Sequence, residues 1–133
     1  MNKNISLAIL SCLTGIYCFG QQIFHTADIK ISKDYENVYS EKIYSDPLAS
    51  SFYISIKKGV KMHKHEYHSE HVYIIKGSAK MILGEDTMTI KQGDFIFIRA
   101  NTSHSVEVIS EESLEIISIQ APEFDGSDRV FVE

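Results

Sequence analysis

The chain has 133 residues, enough for one domain with a modest hydrophobic core. Hydrophobic residues make up 44% of it, which is typical of a globular protein and excludes a disordered chain. The net charge is −5, and the two arginines and scattered lysines form no basic cluster. We therefore expect neither nucleic acid nor an anionic membrane surface as a partner.

The first twenty residues have the pattern of a cleaved signal peptide. Lys3 supplies a positive charge, residues 5–16 form an apolar stretch too short to span a bilayer, and small residues precede Gln21. The predicted domains are a signal peptide over 1–20 and one β-barrel domain over 21–133. This predicts an exported protein, periplasmic or secreted, with no stable membrane insertion after cleavage.

The cysteines bear on both export and chemistry. A lipoprotein acylated at Cys12 is the weaker alternative, because Leu10 is bulky for the required cleavage motif. Both Cys12 and Cys18 lie inside the leader, so the predicted mature chain has no thiol for a disulfide or a metal. Any bound metal must then be held by nitrogen and oxygen atoms.

After the leader, the chain is a succession of short segments rich in β-branched and aromatic residues, bounded by turn residues. The predicted strands, in chain order, are Ile23–Ile31, Asn37–Tyr44, Phe52–Ile56, Val60–Glu66, His71–Ile75, Lys80–Leu83, Met88–Ile90, Phe95–Ile98, Ser105–Ile109 and Leu114–Gln120.

The connections between these segments favour an antiparallel sandwich or barrel. Gly84–Asp86 is typical of a hairpin loop and Gly93-Asp94 of a tight turn. Many short strands at regular spacing, with no sustained helical period, indicate an all-β fold. Val72–Ile75 and Phe95–Ile98 do not alternate between apolar and polar residues, so both are predicted as central strands covered on two sides, by a second sheet or a second subunit.

Four residues form a candidate metal site. His63 and His65 are two positions apart, so on a strand both side chains leave the same face. Glu70 opens the next strand, and His104 follows a later one. Barrel-lining histidines without a metal are the alternative, but burying several imidazoles without a cation is costly. Imidazole and carboxylate suit divalent Fe, Mn, Ni, Zn or Cu.

These residues resemble the two motifs of the cupin superfamily. The first motif, G-x5-H-x-H-x3–4-E-x6-G, is matched by His63, His65, Glu70 and Gly77, although Gly59 precedes His63 by three residues instead of five. The second motif matches at Gly93 and His104. Its Pro, Gly and Asn are replaced here by Arg99, Asn101 and Val108, respectively.

The resemblance implies a single-domain cupin-type jelly-roll β-barrel, with the metal motifs inside residues 59–108. It also implies a 3-His-1-Glu site made by His63, His65, Glu70 and His104. One to three coordination positions would stay open, as in a working rather than a structural site.

Other polar residues near the motif are weighed separately. His68 and Tyr67 lie in the loop before Glu70 and are the candidate catalytic, proton-handling groups. His71 has the opposite parity to Glu70 and is predicted outside the barrel. Lys61 shares the parity of His63, so it lines the cavity or is solvated at the barrel end. His25 is predicted as a surface residue.

The predicted cavity is mostly apolar with one polar end, which suits a small oxygen-rich molecule. Candidates for its inward-facing wall are Phe52, Ile54, Ile56, Val72, Ile74, Met81, Leu83, Phe95, Phe97, Val106 and Val108. The first functional hypothesis is a metal-dependent enzyme. The resemblance to cupins implies a dioxygenase or a sugar or uronate isomerase or lyase, without selecting among them. The alternative is a non-catalytic module that binds a sugar or organic acid. A homodimer is also predicted, with the tail 122–133 folded over the barrel.

Overall fold

Two five-stranded antiparallel sheets make up the computed structural model, which describes residues 23–31 and 34–132. One short 3-10 turn, Thr26–Asp28, precedes them. The strands are β1 Val38–Asp46, β2 Ala49–Ile56, β3 Gly59–His65, β4 Ser69–Lys76, β5 Ser78–Leu83, β6 Asp86–Lys91, β7 Phe95–Ile98, β8 His104–Val108, β9 Leu114–Ala121 and β10 Arg129–Phe131.

The chain alternates between the sheets in the manner of a jelly roll. One sheet has the order β1-β2-β9-β4-β7 and the other β10-β3-β8-β5-β6. The predicted all-β jelly-roll architecture is confirmed. The signal peptide prediction falls on residues 1–20, which lie outside the described residues. Within the described residues, no helix is long and apolar enough to cross a membrane.

The N-terminal region differs from the prediction. Residues 23–31 form no strand, only the turn at Thr26–Asp28, and Ile23 and Phe24 are exposed. A strand needs a partner, and residues 23–31 pair with no strand of either sheet. The break at Asp46 is a hairpin turn between β1 and β2, in which the Asp46 carboxylate accepts hydrogen bonds from the amides of Leu48 and Ala49 at 2.8 and 3.0 Å.

Strand β7 also differs, because it lies at the edge of its sheet and alternates in burial. Phe95 and Phe97 are 62% and 48% exposed, whereas Ile96 and Ile98 are buried. The prediction that the two phenylalanines face inward is therefore wrong. On an edge strand the period of two still operates, so a continuous apolar run does not prove that both faces are covered.

The apolar core fills one end of the space between the sheets and leaves the other end for polar groups. Its fully buried members include Ile74 and Leu114, one on β4 and one on β9. The tail does fold back, as predicted, because β10 pairs with β3. This pairing places the last described residues beside the histidine-bearing strand.

Gly77, the last glycine of the first motif, connects β4 to β5 at φ +81°. A Cβ there would lie 2.7 Å from the Ser113 carbonyl oxygen, so both conformation and space favour glycine. We expect Gly77→Ala to lower the free energy of unfolding by about 2 kcal/mol, measured by urea denaturation.

Gly84 is the matched control for this substitution. It also has positive φ, but its nearest neighbour to a new Cβ is a Thr102 methyl at 3.9 Å. Gly84→Ala should therefore cost only about 1 kcal/mol, the conformational part alone. Equal losses in the two variants would show that the crowding at Gly77 has no energetic weight.

Candidate metal centre

Strand pairing brings the first two imidazoles together. His63 on β3 is the direct cross-strand partner of His104 on β8, and a register irregularity between Val60 and His63 precedes this pair. Side chains of such a pair leave the same face of the sheet. The ring centroids of His63 and His104 are consequently 4.2 Å apart, and that of His65 lies 5.4 Å from His63 and 5.8 Å from His104.

The carboxylate comes from the opposite sheet. Glu70 Oε2 lies 3.4 Å from His104 Nε2 and 3.9 Å from His65 Nε2. Its other oxygen, Oε1, accepts a hydrogen bond from the Ser118 hydroxyl on neighbouring β9. The structure therefore places His63, His65, Glu70 and His104 around one point, and all four are buried.

Each imidazole is fixed in the same orientation by a hydrogen bond from its Nδ1. His63 Nδ1 donates to the Lys61 carbonyl at 2.9 Å, and His104 Nδ1 donates to the Thr102 carbonyl at 3.0 Å. His65 Nδ1 donates to the Asp128 carboxylate at 3.3 Å. Because all three partners are acceptors, the proton belongs on Nδ1 and the Nε2 lone pair is left free.

The donor set fits a metal ion. The ligand atoms of the three histidines lie within 4.8 Å of one another, and ligands about 2.1 Å from one ion are at most about 4.2 Å apart, so movements of under about 1 Å would bring all three onto one ion. His104 Nε2 is buried and has no hydrogen-bond partner among the described residues. A buried nitrogen without a partner is costly unless something binds it. The three histidines could therefore hold a metal, with Glu70 as a fourth donor.

Burial also keeps the imidazoles of His63 and His65 neutral. Desolvation, with a smaller contribution from His104, lowers the pKa of His63 to about 4, and desolvation also lowers the pKa of His65. Burial would raise the pKa of Glu70, but the nearby His104 imidazole and the hydrogen bond from Ser118 outweigh it and lower that pKa. Neutral imidazoles and an ionised carboxylate are the forms that bind a cation.

The stability of the metal-free protein should therefore depend on pH. Between pH 6.5 and about 4 the unfolded chain protonates His63 and the folded chain does not. Stability then rises with pH through this window and is lost on acidification, by up to about 3 kcal/mol. Urea midpoints of metal-free protein from pH 7 to 4 would show it, and His63→Gln should flatten the slope. Equal slopes for the two proteins would contradict the assignment to His63.

Asp128 is a site residue that the sequence analysis missed. Its side chain is fully buried, and besides His65 it contacts His68 Nδ1 at 2.5 Å and accepts the backbone amides of Tyr67 and His68. Burial would raise the pKa of Asp128, but the hydrogen bonds outweigh it and lower the pKa to about 2. An ionised aspartate behind a metal-facing histidine fixes the imidazole and raises its basicity.

The two candidate proton-handling residues occupy different environments from those predicted. His68 is buried, and its Nε2 contacts the Glu123 carbonyl at 2.6 Å, so both ring nitrogens face acceptors and the imidazole is positively charged. Burial lowers the pKa of His68, but Glu123 and Asp128 outweigh it and the net pKa is raised. Tyr67 is 53% exposed, with its hydroxyl bonded to Ser127. A catalytic role for His68 requires one of these bonds to open.

The remaining polar residues follow the predictions made for them. His71 lies on the outer face of β4, against Phe95 and Phe97. His25 is exposed, and so is Lys61, because the irregularity in β3 shifts its side chain out of register with His63. Neither His71 nor Lys61 lines the cavity beside the metal site.

The departure from the second motif has a structural explanation. Asn101 has φ +65°, a left-handed conformation that glycine adopts freely and asparagine tolerates better than most residues. Its amide donates to the His65 carbonyl at 2.5 Å, and its side chain accepts from Lys64 at 2.7 Å. Asparagine can therefore replace the motif's glycine while this turn still delivers His104.

A cavity of about 240 Å³ extends from the site toward the core. This volume is below that of a pocket for a drug-sized molecule, so it suits a smaller ligand. Of the predicted wall residues, those that line it are Phe52, Ile54, Ile56, Val72, Ile74, Met81 and Val106. Leu83 and Val108 pack against the core instead. Polar groups at one end are His63, His65, Glu70, His104, Gln120 and Arg129.

Comparison with known proteins identifies relatives of this arrangement. The family model described as Cupin domain matches residues 52–120. An uncharacterized protein of Aquifex aeolicus is 31% identical over 98 residues, covering 74% of this chain and 80% of that protein. The mannose-1-phosphate guanylyltransferase RfbM of Salmonella typhimurium is 30% identical over 79 residues, which are 58% of this chain but only 16% of that protein.

Solved structures with the same fold are more distant in sequence. KdgF from Halomonas sp. superposes with a TM-score of 0.69 at 17% identity, covering 80% of this chain and 97% of that one. Streptomyces PAC13 with uridine gives 0.65 at 20% identity, over 75% and 82% of the two chains. Oxalate decarboxylase from Bacillus subtilis gives 0.65 at 17% identity, over 73% and 28%. At these identities the likeness shows the fold alone.

Proposed function

This chain belongs to the cupin family, and on that premise we propose that it is a metal-dependent enzyme acting on a small oxygen-rich molecule. His63, His65, Glu70 and His104 hold a divalent transition metal at the polar end of the cavity. The observation that carries the proposal is the common orientation of the three imidazoles. Each has its Nδ1 satisfied by an acceptor and its Nε2 left for a cation.

The polar end and the apolar wall of the cavity have different roles in this proposal. The bound metal would supply Lewis-acid polarisation of a ligand oxygen, or the seat of oxygen chemistry if it is redox-active. Ser118 holds Glu70 Oε1, so that Oε2 faces the histidines. The apolar wall excludes water and accommodates the carbon skeleton of the ligand. This combination suits an isomerase, a lyase or a dioxygenase.

A non-catalytic binding module is the second candidate, and one observation favours it. Neither His68 nor Tyr67 lines the cavity, and His68 has both ring nitrogens engaged. Among the described residues that line the cavity, Glu70 is then the carboxylate available to move a proton. If Glu70 stays on the metal throughout, a ligand can be bound without being converted.

Turnover assays under air and under nitrogen distinguish an enzyme from a binding module. Protein loaded with Fe, Mn, Ni or Zn would be incubated with hydroxy acids, uronates, diketones and sugars under air and under nitrogen. Oxygen consumption would identify a dioxygenase, and substrate loss under nitrogen an isomerase or lyase. Binding without loss would identify the module. Protein that takes up none of the four metals would overturn both candidates.

We also propose that the protein is exported and forms a homodimer. Export is supported by the signal-peptide pattern of residues 1–20. Dimerisation is supported by the apolar outer face of β4 and β7, where Tyr73, Phe95 and Phe97 are 44%, 62% and 48% exposed. A contiguous aromatic surface of this kind is typical of an interface. Light scattering would test it: a monomer at micromolar concentration would contradict the dimer.

A further inference from the structure

The C-terminal strand places a cation in the cavity. In the pairing of β10 with β3, Arg129 is opposite His65 and Phe131 is opposite His63. Directly paired residues share a face, so Arg129 and Phe131 lie on the same side of the sheet as the two metal-facing histidines. Arg129 accordingly lines the cavity, although the residue as a whole is exposed to solvent.

The guanidinium of Arg129 forms no ion pair with a carboxylate of the described residues. Among the described residues, no salt bridge or hydrogen bond joins the Arg129 side chain to an acidic group, and the guanidinium lies 5.3 Å from the centre of the Phe131 ring. Burial lowers the pKa of Arg129, an effect that the charge of Glu70 opposes, yet an arginine stays charged. It is also the one lysine or arginine among the residues that line this cavity.

An unpaired cation that lines the same cavity as a metal site favours an anionic ligand. A divalent ion, Glu70 and Arg129 together leave the polar end of the cavity with a net positive charge. A guanidinium on the wall of a cavity that also holds a bound cation adds to the positive potential there, so a ligand that brings a negative charge is favoured. The planar fork of arginine matches the two oxygens of one carboxylate. Phosphate sites usually gather several donors, whereas this cavity offers a single fork.

A second polar atom in the same cavity also has no partner. Gln120 donates through Nε2 toward Glu70 and Ser118, at 3.5 and 3.3 Å, but its Oε1 is buried without a hydrogen bond in the described residues. A buried acceptor of this kind is satisfied by a donor from a ligand. The hydroxyl of a ligand would supply that donor close to Glu70.

We propose that the cavity takes a small hydroxycarboxylic acid, with its carboxylate on Arg129 and a hydroxyl directed to Gln120 and the metal. This inference rests on the proposed function, since it assigns the substrate class of the same site. It makes Arg129 the residue that selects an acid over a neutral sugar or alcohol. It assigns no proton transfer to Arg129.

The test is calorimetric binding to zinc-loaded protein, which needs no turnover. Lactate would be compared with lactamide, which lacks the charge, and with propionate, which lacks the hydroxyl. Glucuronate would be compared with glucose in the same way. We expect each hydroxy acid to bind at least about tenfold more tightly than its uncharged partner, because a charge-assisted bidentate pair is involved.

Substitutions of Arg129 test whether this residue causes the preference for acids over neutral ligands. Arg129→Gln should abolish the preference for the acid, and Arg129→Lys should restore part of it, since lysine keeps the charge but not the fork. Arg99→Gln is the matched control, because Arg99 is exposed and does not line the cavity. It should behave as the wild type. Zinc content and thermal midpoint would be measured for every variant.

The outcomes separate this inference from the proposed function. Wild-type zinc content in Arg129→Gln together with loss of the acid preference supports both. Equal binding of acids and neutral partners, no binding of any probe, or a preference that survives in Arg129→Gln overturns the assignment of substrate class and leaves the metal site standing. If the wild type takes up none of Fe, Mn, Ni or Zn, the proposed function fails, and the same comparisons on metal-free protein still decide the role of Arg129.

Discussion

Replacing His65 by alanine should remove most of the metal from the purified protein. The imidazole of His65 is one of three that present Nε2 to a common point, and it lies 3.9 Å from Glu70 Oε2. Losing an outer-shell partner of a metal ligand already costs about 10–100-fold in affinity, so losing the ligand itself should cost more than about 100-fold. Elemental analysis and competition with a chromophoric chelator would measure it.

His71 provides the control for this substitution. It is close to His65 in sequence and lies on the outer face of β4, in contact with Phe95 and Phe97. His71→Ala should therefore retain the wild-type metal content. A His65→Ala protein with undiminished metal affinity would show that the histidines of the barrel do not share an ion.

Replacing Asp128 by alanine should reduce both stability and metal affinity. The substitution leaves the charged imidazole of His68 buried without its counterion, and breaking such a pair costs about 3–5 kcal/mol. It also frees the Nδ1 of His65, which should weaken metal binding about 10–100-fold. Urea denaturation of metal-free protein and chelator competition would measure the two effects separately.

Asp125 is the matched control, because it lies in the same segment but is exposed. Asp125→Ala should change neither quantity appreciably. Asp128→Asn, which keeps an acceptor oxygen but loses the charge, should fall between the two. If Asp128→Ala unfolded at the wild-type urea midpoint, the buried Asp128–His68 pair would have no net role in holding the tail.

Much of the fold could be predicted because its signals are local. The turn at Gly84 and the parity of His71 depend on neighbouring residues, and both predictions agree with the structure. The uninterrupted apolar run Phe95–Ile98 contains no polar residue to mark its outer face, so its sequence resembles that of a strand covered on both sides. Its position at a sheet edge depends on topology, which no local pattern encodes.

The candidate site was likewise predictable mainly where its residues lie close together in the sequence. The spacing of His63, His65 and Glu70 is contained in one short segment, so a sequence motif can represent it. Asp128 and Arg129 lie about 60 residues further along the chain and reach the site only through the pairing of β10 with β3. Residues 129–131 of that strand, Arg-Val-Phe, do not alternate between polar and apolar types, so no period of two marks it in the sequence. Nothing in it indicated which side chain would contact a histidine.

The position of β10 has a consequence for protein engineering. The family match ends at residue 120, whereas Phe124, Asp128 and Arg129 all border the cavity or its histidines from beyond that boundary. Ligand preference can then be altered by substitutions in a short appended segment that contains none of the four metal-facing residues. A combinatorial library confined to positions 123–131, excluding Asp128, would vary the cavity wall while leaving His63, His65, Glu70 and His104 untouched.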